Sequence, residues 1–200
     1  QGNITQKEVW LGASPGSPLE ADRKETYSYD ANNLLTGYVY YLGYQGSSGN
    51  TGYVPMNRSK YTYSAGLLTE QYDERNTINS WEPDRRITYV YPTTTIMEET
   101  EERSNHSGWT IFAKTVSVLD VSGRALSSLR EENWGGGLQP LEEHVYTYGA
   151  NSNMLTHEKM IWRVGMKENF EKTEYTYNSD NNMLTSLKKR WDGAAYVVKE

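Results

Sequence analysis

The chain has 200 residues, a formal charge of −6 and no cysteine. The acidic balance leaves no basic footprint for nucleic acid or anionic lipid. No apolar run approaches the ~18 residues of a membrane helix, and without thiols there is no disulfide framework, thiolate nucleophile or Cys-ligated zinc site. Seventeen Tyr and six Trp stand against two Phe, at a mean hydropathy of −0.81. Rings with a polar handle and high strand propensity suit half-wet sheet surfaces better than a thick core.

Residues 1–24, with the turn cluster Pro15-Gly16-Ser17-Pro18, read as an N-terminal cap or degenerate unit of a repeat array. The start at Gln1 fits a removed leader. Repeats fill 25–183. An apolar pair recurs as Leu34-Leu35, Leu67-Leu68, Ile96-Met97, Ala125-Leu126, Met154-Leu155 and Met183-Leu184, so that its second member steps by 33, 29, 29, 29 and 29 residues. A Tyr-x-Tyr doublet and a turn precede most pairs: Tyr27/Tyr29, Tyr61/Tyr63, Tyr89/Tyr91, Tyr146/Tyr148 and Tyr175/Tyr177. Such a doublet puts two rings on one face of an extended strand. The Asp- and Asn-rich segments that follow are Asx-turn chemistry, and Asp192-Gly193 reads as a two-residue hairpin turn. The longer first step carries its extra residues between Gly43 and Gly52, read as a lengthened hairpin loop, and 184–200 is a truncated last unit.

Each unit therefore predicts one β-hairpin with strands of about ten residues. The whole predicts a single all-β array of tandem ~29-residue hairpins, an antiparallel, twisted open meander or shallow solenoid, with helix below about a tenth of the chain. The Tyr ladder reads as glue, with Tyr146, Tyr148, Tyr175 and Tyr177 stacking on their counterparts one unit away.

Tyr-x-Tyr-Asp with a turn and a Leu-Thr pair resembles the YD repeats of bacterial Rhs-type surface and toxin proteins. Asp120-Val121-Ser122-Gly123-Arg124-Ala125-Leu126 is similar to that family's D-x-x-G-R-L core, while Asn32-Asn33 and Asn181-Asn182 stand where Gly-Arg would. The period is similar to that of Tyr-rich secreted repeat proteins of gut Bacteroidetes. The resemblance implies an all-β shell or surface structure, an exported location, and no catalytic residues.

The three histidines, His106, His144 and His157, fall at unrelated phases and suggest no metal site. The run Glu98-Glu99-Thr100-Glu101-Glu102 offers carboxylates for glycoside hydrolysis, but neighbours on a strand point to opposite faces. No catalytic, cofactor or metal residue is expected. Ligand contact is assigned to the tryptophans near the hairpin tips, Trp109, Trp134, Trp162 and Trp191, spaced to line one edge in register and to meet a glycan or a surface protein. The function expected is a non-catalytic exported module for binding or scaffolding at a bacterial surface, without nucleic acid or membrane insertion. The alternatives are a structural spacer or shell segment of a larger assembly and, more remotely, a glycan-acting enzyme.

Overall fold

The computed structural model describes residues 5–11, 20–45, 51–77, 80–105 and 107–198. The Pro15–Pro18 cluster and His106 lie outside them. Strands β1 (Gln6–Leu11), β2 (Glu20–Tyr29), β3 (Leu35–Gln45), β4 (Thr51–Ser64), β5 (Leu67–Thr77), β6 (Ser80–Thr93) and β7 (Ile96–Ser104) come first. They are followed by β8 (Trp109–Leu119), β9 (Ala125–Asn133), β10 (Leu138–Tyr148), β11 (Met154–Arg163), β12 (Met166–Tyr177), β13 (Met183–Trp191) and β14 (Tyr196–Val198). Neighbours in sequence are neighbours in the sheet, giving an open antiparallel meander with no helix among the described residues. The strands group into two compact units, residues 1–88 with 102–110, and 89–101 with 111–200.

The turns that close β2–β3, β8–β9, β10–β11 and β12–β13 share one geometry. The first residue's N–H donates to the fifth residue's carbonyl, and the fourth N–H donates back to the first carbonyl, at Asp30–Leu34, Asp120–Arg124, Gly149–Asn153 and Asn178–Asn182. The fourth position is left-handed in all of them: Asn33 (φ 62), Gly123 (φ 80), Ser152 (φ 65) and Asn181 (φ 63). This is a three-residue loop ending in a positive-φ residue. Asn, like Gly, tolerates that conformation, which is why Asn substitutes there without a change of shape. At Asp120 the carboxylate accepts the N–H groups of Ser122 and Arg124. The Arg124 guanidinium bonds back to it at 2.6 Å and covers the Tyr148 ring at 4.6 Å. The backbone N–H of Arg124 and then its guanidinium hold the Asp120 carboxyl below its ordinary range.

Two bulges mark most hairpins. In the even strands the register leaves Met56, Asp84, Leu141 and Phe170 as the extra residue. In the odd strands it leaves Thr36, Thr69, Leu126, Leu155 and Leu184. The apolar pairs are thus offset by one residue between the early and late units. Each bulge re-aims the strand and increases its twist.

Two expected details differ. Gly43, Tyr44 and Gln45 pair with Tyr53, Gly52 and Thr51, so half of the expected long loop is strand. Asp192-Gly193 lies in a loop between Trp191 and its partner Tyr196, where the Asp192 carboxylate accepts the N–H groups of Ala194 and Ala195. Two-residue turns lie elsewhere, at Ala65-Gly66, Thr94-Thr95 and Val164-Gly165.

Val164 sits at φ 52 and is fully exposed. A β-branched residue pays a steric cost in the left-handed region. Val164→Asn is expected to stabilise the protein by about 1 kcal/mol in urea melts; a destabilised variant would show that the Val side chain makes a contact needed for folding.

Apolar burial is sparse. Among the described residues only Ile87, Ala113 and Met160 are buried apolar residues, and Glu74, Glu101 and Ser117 are buried as well. Cross-strand ion pairs and stacked cations cover the faces instead.

Candidate functional site

In the unit containing β2–β5, one arrangement occurs twice, 28 residues apart. Arg58 on β4 faces Glu74 on β5 with two bonds, Nε at 2.6 Å and Nη2 at 2.9 Å, and lies over the Trp81 ring at 4.4 Å. Arg86 bonds Glu102 at 2.8 Å and lies over Trp109 at 4.9 Å, with Tyr72 edge-on to that tryptophan at 5.7 Å. Glu74 also takes Lys60, at 2.8 Å. The Arg58 guanidinium holds the Glu74 carboxyl below its ordinary range against the opposing effect of burial. A guanidinium sandwiched between a carboxylate and an indole has both its hydrogen-bonding edge and its flat face occupied.

The tip tryptophans do sit at one end of the hairpins, but not at one position. Trp81 and Trp109 open even strands, Trp162 and Trp191 close odd ones, and Trp134 follows the last residue of β9. The position that Trp162 and Trp191 fill is held by asparagine in earlier units. Asn76 donates to the Pro55 carbonyl and Asn133 to that of Ile111. Where Asn takes this place, the indole moves to the facing strand or, at Trp134, out into the Gly135–Gly137 loop. Trp109 is covered by Arg86. Trp162 carries Lys167 at 5.6 Å, and Trp191 meets Tyr196 edge-on at 5.2 Å. Trp134 is 74% exposed. Of the four residues assigned to ligand contact, three are thus engaged within their own sheet and one is presented to solvent.

The Tyr ladder departs from its expected partners. Tyr146 does not meet Tyr175; its ring stacks on His157 at 4.8 Å and lies 6.3 Å from His144. Units repeat every second strand, so equivalent rings lie ~10 Å apart and the strand between them supplies the contact. In the first hairpin Tyr27 and Tyr38 do meet, at 5.4 Å, because both strands carry a tyrosine at paired positions.

His144 and His157 stand at unrelated phases in the sequence, yet the sheet brings them together. Tyr146 pairs with His157 and His144 with Lys159, which sets the two imidazoles on a diagonal, His144 Nδ1 to His157 Nε2 at 2.7 Å. Their near-symmetric placement about the turn at 149–153 was the available signal. Glu142 lies 3.3 Å from His144 Nε2 and also pairs with Lys159. Burial, then the neighbouring His144, pushes His157 below its ordinary value. Lys159 and Lys188 add to that shift and Glu171 opposes it. A base whose folded pKa is depressed contributes stability that is complete above its unfolded value, near 6.5, and is lost as pH falls from there towards the folded value. The melting temperature is therefore expected to fall between pH 7 and pH 5, and His157→Ser, the residue found one unit away at Ser128 and Ser186, should flatten that limb. An unchanged profile in the variant would remove His157 as the cause.

The acidic run is split by the sheet. Glu98 pairs with Lys114 at 2.7 Å, Glu101 with Arg130 at 3.3 Å and Glu102 with Arg86 at 2.7 Å. Glu101 and Glu102 are adjacent on β7 and so face opposite sides.

No family model and no curated protein matches this chain. Among solved structures, a protein of unknown function from Bacteroides fragilis aligns over 60% of this chain and 91% of its own, at a TM-score of 0.51 and 13% identity. A DUF3836 family protein from Bacteroides vulgatus aligns over 44% of this chain and 89% of its own (TM-score 0.36, 17% identity). A porin-like protein from Bacteroides uniformis aligns over 86% and 96% (TM-score 0.30, 9% identity). The first of these shows a shared fold.

Proposed function

We propose that this chain is a non-catalytic, exported β-repeat module that scaffolds or binds at a bacterial surface. The observation that carries the reading is how side chains are divided between faces and tips. On the faces, carboxylates and cations are spent on one another and rings are capped by guanidinium or ammonium groups. At the tips, Trp134 is left open on a glycine-rich loop. A sheet stabilised in this way tolerates water on both sides and can be lengthened unit by unit. The opposite facing of Glu101 and Glu102, each held by its own arginine, supports a role without hydrolytic chemistry. The Tyr-x-Tyr-Asp resemblance to surface repeat proteins supports export.

Two measurements test the proposal. Protease treatment of intact cells carrying the full-length protein should cleave it from outside, and a purely cytosolic protein would overturn the surface reading. Binding of the purified chain to surface polysaccharide or to cell-envelope protein should be lost in Trp134→Ala with an unchanged unfolding midpoint. Trp162→Ala should instead lower the midpoint. If no surface component binds while the protein is displayed, the role is that of a spacer.

A further inference from the structure

We infer that the groove at the tip of the β11–β12 and β13–β14 hairpins is a binding site for a carboxylate-bearing saccharide, of the uronic-acid class. The inference rests on the binding reading above and specifies its ligand. The groove encloses ≈ 610 Å³, within the range of small-ligand sites. It is opened by the bulge of β12, where Phe170 is the extra residue between the paired Asn169 and Glu171. Phe170 supplies ring surface, and the Arg190 guanidinium lies over it at 5.2 Å.

What sets this groove apart is a free arginine. In a second groove, of ≈ 470 Å³ and lined by residues of β3–β7, Arg58 is held by Glu74 and Arg85 by Asp73, and the charged side chain left without a partner among the described residues is an acid, Asp84. In the groove beside Phe170, Arg163 and Glu168 share one face, since Ile161 alternates with Arg163 on β11 and pairs with Glu168 on β12; both are exposed and have no partner among the described residues. Lys167, by contrast, is bonded to Glu143 at 2.5 Å and lies over Trp162. A ligand that uses the free set needs an anionic group for the Arg163 fork, a hydroxyl that donates to Glu168, and a flat C–H face for an aromatic ring. A uronic acid has all three. Glu168 disfavours a ligand charged at every position, such as a nucleic-acid backbone.

Calorimetric titration of the purified chain with a galacturonate trisaccharide tests the assignment, with the neutral galactose trisaccharide and polyglutamate as comparison ligands. The uronate is expected to bind at least tenfold more tightly than either. Arg163→Ala should lose tenfold or more in affinity, consistent with a charge-assisted pair. Its unfolding midpoint should not move, since Arg163 holds nothing in the sheet. Equal binding of the uronate and the neutral sugar, equal binding of polyglutamate, wild-type affinity in Arg163→Ala, or no binding at all would each overturn the assignment. Trp134-dependent surface binding that survives such a result would leave the module's proposed function standing.

Discussion

Arg58→Ala is expected to destabilise the protein by about 2–3 kcal/mol, measured by urea denaturation at pH 7. Glu74 is 7% exposed and receives both oxygen-directed bonds from Arg58. Removing the guanidinium leaves a buried carboxylate with Lys60 alone and uncovers the Trp81 ring. The remaining Lys60 contact keeps the loss below that of a wholly orphaned buried charge. Arg58→Lys should recover only part of it, because an ammonium cannot make the two parallel bonds or lie flat on the indole. The pair also shapes the acid limb. A carboxyl whose folded pKa is lowered adds stability that is present above its unfolded value, 4.5, and disappears as pH falls through the folded value. Arg58→Ala should flatten that part of the profile. A loss under about 0.5 kcal/mol would place the pair among ordinary surface ion pairs.

Met160→Ala should cost about 2–4 kcal/mol, the range for truncating a buried long side chain. Met160 is 9% exposed, on β11 between Glu143 of β10 and Asn169 of β12. Ala113 is the other buried apolar residue described in its unit, so there is little neighbouring core to collapse into the space. Leu155→Ala is the comparison. Leu155 is 41% exposed at a bulge and should change stability by no more than about 0.5 kcal/mol. Equal effects at the two positions would contradict the burial difference on which the prediction rests.

The hairpin period, the strand lengths and the turns were legible because each is written in local chemistry. Y-x-Y marks a strand, and an Asp, Asn or Gly at a fixed offset marks a left-handed turn residue. What the sequence hid depends on neighbours it does not place side by side. The 28- and 29-residue spacing of Trp134, Trp162 and Trp191 suggested equal positions, but Asn133 takes the strand place and displaces Trp134 by one residue into the loop. Tyr146 and Tyr175 share a phase but are separated by β11, so His157 fills the gap. The apolar pairs aligned well as letters, yet the extra residue of the bulge is Thr69 in one unit and Leu126 in another. Side-chain function depends on register, and a one-residue offset reassigns it.

The scarcity of buried apolar side chains reaches into thermodynamics. Heat-capacity change on unfolding comes mainly from newly wetted apolar surface, while wetted polar surface subtracts from it. A sheet closed by guanidinium–carboxylate pairs and capped rings has little of the first and much of the second. Calorimetry should therefore give a heat-capacity increment clearly below the ~12–15 cal/mol/K per residue of ordinary globular proteins. The stability curve would then be broad and shallow, and the protein would tolerate swings of temperature better than changes of salt or acidity.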